Sequence, residues 1–450
     1  MKVLAALALL FGGGLLVAQT PGPGNREPGT ASAPVLVPQS PVASPRSPGE
    51  SLTIYLMTMG PGDEVWERFG HNAIRIVDAA RGTDSVYNWG TFDFEQPNFI
   101  QRFMTGNTEY WMKEDGMAET IAFYRYLNRS MWVQELDLSP AERAAVRDFI
   151  AWNARPENRF YRYDYYLDNC STRVRDIIDR VTAGQLKPAL SGRLTNTTFR
   201  FFTQRAVEAQ PIIAQATDIA LGELADRPIT GWEAAFLPEQ LQEQVRSVQI
   251  RSADGTVHPL VKREQQLFAA QRPPLAAAPS DETIRNVVIG MLVAGLLAWL
   301  ARAARSGRRA ARIAFTTIAS LWAALNGILG LVLVIAWTAT RHVFIGHNEN
   351  ILQFDPLSLV VAVALPLAVA RGRAVAVART VTRVVAVIAL VGLVMQVLPW
   401  FNQVNGAVIA LALPAHVALA WAVAALTVQP ERAPTRAGAA SSQVASRSAA

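Results

Sequence analysis

Residues 51–78 read SLTIYLMTMGPGDEVWERFGHNAIRIVD, two alternating runs divided by a turn. Leu52, Ile54 and Leu56 alternate in the first run, Asn72, Ile74 and Ile76 in the second, and Pro61-Gly62 marks the reversal. The period of two predicts a pair of strands at the start of the folded sequence. His71 opens the second run directly after Gly70, a residue that leaves the backbone open to close approach.

Outward from this pair, Val86 to Phe92 (VYNWGTF) reads as a third short strand, and Thr120 to Leu127 and Met131 to Leu138 as two more. Helical patterns cover Asn98 to Met104 and a segment from Ser139 to about Asn153. In the latter, Ser139 is the N-cap, Pro140 the first turn and Glu142 the return of a capping box. A further helix starts within YYLDNCSTRVRD (165–176) and places Val174, Ile177, Ile178 and Val181 on one face. Strands and helices in this mixture predict an α+β domain over residues 51–275, ending in the Pro/Ala-rich QRPPLAAAPS.

The flanks differ in kind. Residues 1–19 carry Lys2 and then an apolar run, the pattern of a signal peptide, and residues 20–50 are a Pro-rich linker without apolar period, expected to be disordered. Beyond the α+β domain, residues 284–428 hold five apolar segments, at 284–301, 313–340, 356–370, 384–401 and 405–428, each near the ~20 residues a bilayer needs. This predicts an all-α membrane domain of five transmembrane helices, followed by a tail over 429–450.

Charge gives the orientation. Residues 281–450 hold 14 Lys/Arg against 5 Asp/Glu, leaving 28 and 31 for residues 1–280, so the soluble part is mildly acidic and carries no nucleic-acid footprint. The arginines concentrate after the first, third and fifth segments, whereas 341–355 and 400–405 carry little net charge. The positive-inside rule places the Arg-rich connections and the tail in the cytoplasm. The α+β domain then lies outside the cytoplasmic (inner) membrane, as the signal sequence independently requires.

An exported chain with one cysteine, Cys170, forms no internal disulfide. Free cysteine is commonly a buried small hydrophobe, yet Asp168 and Asn169 are N-cap residue types. Cys170 therefore falls in a first helical turn, where the dipole favours a thiolate, with Arg173 and Arg175 nearby and Asp168 opposing them. Only His71 and His258 precede the membrane segments; His258 sits in the turn-like DGTVHPL as a surface residue, which leaves His71 as the base for Cys–His catalysis. Asn88 is the first candidate to orient the imidazole and Asp93 the second. The sequence contains no HExxH, no paired cysteines and no GK[ST] loop, so neither a metal nor a nucleotide cofactor is expected. Asp63, Glu64 and Glu67 read as a solvated helix face or an acid/base pair, Trp232 as packing. His342, His347, Asn348, Glu349 and Asn350 form either a solvated loop or a substrate contact at the outer membrane boundary.

WERFGHNAIRI, VYNWGTFDF, PNFIQRFMTG, YDYYLDNCSTRVRD and ITGWEAAFLP, in that order and followed by five apolar segments, resemble the Lnb-type bacterial lipoprotein N-acyltransferases over most of residues 51–428. The order His then Cys also resembles circularly permuted papain-like enzymes such as lecithin:retinol acyltransferase. The resemblance implies a permuted papain-like domain with Cys170 as nucleophile and His71 as base. It implies that an acyl chain moves from a membrane phospholipid, through a thioester, to the N-terminal amine of a diacylglyceryl-cysteine lipoprotein. The third catalytic member is not set by it. A membrane-anchored cysteine hydrolase, phospholipase or cell-wall amidase, would use the same dyad with water as acceptor. A transporter fits poorly, because the apolar segments hold almost no ionisable residue to mark a path.

Overall fold

The computed structural model describes residues 47–427; the expected signal peptide, nearly all of the linker and the C-terminal tail lie outside them. Two compact units divide the chain. The first holds the residues up to Glu282 together with Val332–Ile351 and Met395–Val408, and the second holds Thr283–Leu331, Leu352–Val394 and the residues from Ile409.

In the first unit, β1 (Leu52–Met59) and β2 (His71–Asp78) pair antiparallel with Met59 opposite His71, as the alternation predicts. They form the middle of a seven-stranded sheet. With β3 (Thr83–Thr91), β4 (Glu109–Gly116), β5 (Met131–Leu136), β6 (Phe160–Arg162) and β7 (Val261–Phe268), its order is β6-β4-β3-β2-β1-β5-β7. Every pairing is antiparallel.

Alternate side chains of β1 bury on opposite faces. Leu52, Ile54 and Leu56 join a core with Val146 and Ile150 of α3 (Pro140–Asn153) and Val174, Ile177 and Ile178 of α4 (Cys170–Val181). Met57 and Met59 face Ala73, Val86, Met117 and Tyr124 on the other side. The capping box of α3 forms as expected, with Ser139 N–H donating to Glu142 at 2.7 Å and Glu142 N–H to Ser139 Oγ at 3.3 Å.

Two local expectations are corrected. Thr120–Leu127 is no strand: α2 (Met117–Tyr126) occupies it, starting from Gly116 in extended conformation and burying Met117, Thr120 and Tyr124, a helical spacing that tertiary packing preferred over the β-rich composition. The strand is instead β4, just before it, where Tyr110 and Met112 alternate inward behind a charged outer face. The short helix α1 (Phe99–Met104) lies where the pattern put it.

The second unit is helical. The helices α8 (Thr283–Arg305), α9 (Arg309–Ala339), α11 (Val375–Met395) and α12 (Gly406–Thr427) are four helices long and apolar enough to cross a membrane; between α9 and α11 lies the shorter apolar α10 (Ser358–Arg371). Further helices of the first unit include α5 (Phe199–Val207), α6 (Pro211–Ala220) and α7 (Pro238–Arg246). At 14 residues α10 is about 21 Å long, short of a typical hydrocarbon core, and it contains Pro366. Helix α11 starts earlier than the apolar run suggested and takes Arg379 and Arg383 into its first turns, Arg379 Nε donating to Thr427 Oγ1 at 2.6 Å.

Candidate active site

The start of α4 is held from both sides. Asn169 is the N-cap, its Oδ1 accepting the Ser171 and Thr172 N–H groups at 2.9 Å each, while Thr172 Oγ1 accepts the Asn169 N–H at 2.8 Å. Asn169 Nδ2 donates to Tyr165 O at 2.9 Å and Phe236 O at 3.0 Å. Cys170 is thereby the first helical residue, and it is buried, with a free thiol.

The helix docks on β2 through polar atoms. Ser171 Oγ lies 2.8 Å from Asn72 Oδ1 and 2.7 Å from Ala235 O. Asn72 Nδ2 donates to Met57 O at 3.1 Å and Thr58 Oγ1 at 2.9 Å, which turns its oxygen toward Ser171. Residues adjacent to His71 and to Cys170 are thus bonded to each other. The sheet opens opposite the thiol: β3 and β4 slip register between Asn88 and Thr91, and Gly90 there has φ +92°. A Cβ on Gly90 would sit 3.7 Å from Cys170 Cβ and 4.0 Å from the Tyr163 ring, so a larger residue would fill the space beside the thiol.

His71 is buried, and its Nε2 lies 3.1 Å from Asn88 Oδ1. Asn88 is itself oriented, its Nδ2 donating to Asp115 Oδ2 at 3.1 Å and Val86 O at 3.4 Å. Asp115 in turn pairs with Lys113 at 2.7 Å. With Asn88 Oδ1 as the acceptor, the proton of neutral His71 resides on Nε2 and leaves Nδ1 as the basic nitrogen. Asp93 does not share this position; its Oδ1 accepts the Glu95 N–H at 2.8 Å in an exposed turn.

The electrostatics differ from the sequence expectation. Arg173 turns to Asp168, at 2.5 and 2.7 Å, and lies over the Tyr161 ring. Arg175 pairs with Asp176 at 2.9 Å and stacks on Trp232. The cation that acts on both site residues is Arg129, almost fully buried between Gly60 O at 2.8 Å, Glu67 at 3.4 Å and the Tyr124 ring. Sequence reasoning passed over Arg129 and Asp115, which lie far from Cys170 along the chain and show no spacing signal.

Burial pushes the Cys170 thiol up to about 11, against the Asn72 and Ser171 backbone N–H groups that favour the thiolate. Burial also lowers His71 to about 4, with Arg129 adding to the shift and Asn88 opposing it. At neutral pH the resting pair is therefore a thiol and a neutral imidazole rather than the expected dipole-stabilised thiolate.

The other candidates resolve structurally. Asp63 pairs with Arg272, Glu64 caps a short helical turn and Glu67 pairs with Arg129, which leaves no acid/base pair among them. His258 contacts Ser252 Oγ at 2.8 Å and Asp137 at 3.0 Å. The stretch around 342–350 is not a solvated loop: Asn348 and Asn350 are buried and donate to the Ile219 carbonyl at 2.9 and 3.0 Å, and His342 Nε2 lies 3.1 Å from Phe103 O. Among the described residues no three His, Cys, Asp or Glu side chains converge as a metal site.

Residues 44–205, which contain His71, Asn88 and Cys170, match the Lnb N-terminal periplasmic domain, and residues 282–427 match the Lnb transmembrane domain. The chain belongs to the Lnb family. No curated protein and no solved structure gives a match. The Lnb pairing, with its apolar helices, makes this a lipoprotein N-acyltransferase-like, multi-pass membrane protein whose α+β domain is periplasmic.

Proposed function

We propose that this Lnb-family chain is a lipoprotein N-acyltransferase in which Cys170 carries the acyl group, His71 moves the protons and Asn88 orients His71. One observation carries the reading: a buried His71–Asn88 pair on β2 and β3, with Cys170 at the capped start of a helix bonded to the same strand through Ser171 and Asn72. This order of groups also supports a permuted papain-like domain.

In the first half-reaction, His71 Nδ1 takes the thiol proton as Sγ attacks the ester carbonyl of a phospholipid. The oxyanion faces backbone N–H groups at the helix start, including that of Cys170. Its collapse breaks the C–O bond, and His71 returns the proton to the departing lysophospholipid oxygen. In the second half-reaction the α-amine of the diacylglyceryl-cysteine acceptor attacks the thioester and passes a proton to His71. The C–S bond breaks, the amide forms and the thiol is reprotonated. Because both partners at rest are neutral, proton transfer and attack occur together. No external energy source is required, since the thioester retains the reactivity of the ester.

The arrangement of the connections supports five crossings. Val332–Ile351 and Met395–Val408 belong to the same compact unit as the sheet, which supports a periplasmic position for both connections. If α11 crosses between them, α10 must cross in the opposite direction, and its short length is met by local thinning of the bilayer.

The test is to incubate the purified full-length protein with phospholipid and a diacylated lipopeptide and to read product masses. One acyl group on the peptide amine, with an equivalent of lysophospholipid and no acyl adduct on Cys170→Ala protein, is the expected result. Free fatty acid without acylated peptide would overturn transfer in favour of the hydrolase.

A further inference from the structure

On the far side of Tyr163 from Cys170 lies a narrow cleft whose wall includes Arg162, Arg341, His342, Tyr110, Tyr163 and Tyr165. Two features of it are unexplained by the fold. The hydroxyls of Tyr110, Tyr163 and Tyr165 are buried without a hydrogen-bond partner, although Tyr110 and Tyr163 stack ring on ring at 4.2 Å and are themselves more than nine-tenths buried. A buried hydroxyl left unsatisfied costs about 1–3 kcal/mol, so three in one place point to a partner that arrives from outside. The two guanidinium groups are also uncommitted: among the described residues neither forms an ion pair, and Arg162 makes only a 3.4 Å contact with Gly106 O. The one carboxylate in the wall, Asp164, is occupied by the Tyr166 and Leu167 N–H groups at 3.0 and 2.9 Å.

The cleft is built, not incidental. Arg341 N–H donates to Thr105 O at 3.0 Å, and Gly106, at φ +71°, lies so close to the Arg341 backbone that a Cβ would stand 3.2 Å from it. His342 is fixed by Phe103 O and lies along the Tyr165 ring. Arg341 follows the end of α9, Ala339, by two residues. Helix α9 is long enough to span a bilayer, so a guanidinium two residues beyond its end is within reach of lipid phosphates. On the inner side, Tyr163 adjoins Cys170 across Gly90.

We propose that this cleft binds a phosphate ester, the headgroup phosphodiester of the acyl-donor phospholipid, with Arg162 and Arg341 pairing the anionic oxygens and the tyrosine hydroxyls donating to them. Planar guanidinium forks suit a phosphodiester, and a donor held by its phosphate presents its glycerol esters toward the neighbouring thiol. The proposal rests on the phospholipid-donor reading, but binding alone reads it.

The experiment uses full-length Cys170→Ala protein in detergent and calorimetric titration with dihexanoyl phosphatidylglycerol, dihexanoylglycerol and inorganic phosphate. The expected result is binding of the phospholipid that falls about tenfold or more for each arginine removed in Arg162→Gln and Arg341→Gln, with dihexanoylglycerol unaffected. Both arginines are exposed, and an unchanged melting temperature serves as the folding control. Tyr163→Phe, which removes only an unpartnered hydroxyl, provides an independent variant and is expected to weaken the same binding. Unchanged phospholipid affinity in these variants, or an equal loss for dihexanoylglycerol, overturns the proposal. Arginine-dependent binding of inorganic phosphate that the phospholipid does not displace assigns the cleft to free phosphate and overturns the headgroup reading. Since Cys170→Ala protein cannot carry an acyl chain, a failure of acyl transfer in the unmodified protein leaves the binding result intact.

Discussion

At the scale of single residues, burial raises the Cys170 thiol and lowers the His71 imidazole. In the proposed mechanism His71 acts as base only when neutral, and burial with Arg129 holds it at about 4, below its ordinary value of 6.5. Activity should therefore stay level as pH falls from neutrality and be lost only as pH passes through about 4. A pH profile of acyl-enzyme formation measures this directly, and an acid limb centred near 6.5 would contradict the neutral-pair description. Asn88→Ala removes the acceptor that keeps the proton on Nε2; adduct formation should slow by about a hundredfold without loss of the fold. Cys170, His71 and Asn88 could be named as candidates from the sequence because each is a chemically distinctive residue in a readable local context. Arg129 and Asp115 could not, since their roles arise only where β4, β5 and the loop before β2 meet in space.

Elements, rather than residues, bring the pair together. Helix α4 and strand β2 are joined by Ser171 and Asn72, and Asn72 is fully buried with three hydrogen-bonding contacts. Asn72→Ala leaves Ser171 without one acceptor and removes the side-chain bonds to Met57 O and Thr58 Oγ1, and should cost about 1–3 kcal/mol. Thermal unfolding of the purified protein reads that loss, and a melting temperature equal to that of the parent would refute the docking role. The elements show where local signals suffice. The capping box at Ser139 and the alternation of β1 and β2 are carried by residues a few positions apart, and they form as read. Thr120–Leu127 has strand-like composition, but the sheet position it would have filled belongs to β4, and the segment folds back as a helix over Met57 and Met59. Competition between neighbouring segments for one place in a sheet leaves no local trace.

For the whole molecule, the question is how often the chain crosses the bilayer. With α10 crossing, the Arg-rich connections at 302–312 and 371–374 face the cytoplasm. In a Cys170→Ala background, Ser306→Cys and Arg373→Cys should resist a membrane-impermeant maleimide in intact spheroplasts and react after permeabilisation, whereas Ser252→Cys should react in both. Labelling of Arg373→Cys in intact cells would show that α10 does not cross.

Sequence by itself determined the separation into an α+β part and an apolar helical part, the clustering of the arginines between apolar segments, the strand pair that carries His71 and the capped helix start that carries Cys170. These are properties of composition and of residues within one or two turns of each other, which act before any long-range contact exists. Tertiary structure alone decided the rest. It set Arg129 rather than Arg173 or Arg175 as the cation of the site, and it placed Asn88 rather than Asp93 on the imidazole. It also drew the connections around Asn348 and Gln403 into the unit of the sheet, through bonds to Ile219 and Leu221. Each of these depends on burial and on distances between segments far apart in the chain, and burial holds both Cys170 and His71 in their neutral forms.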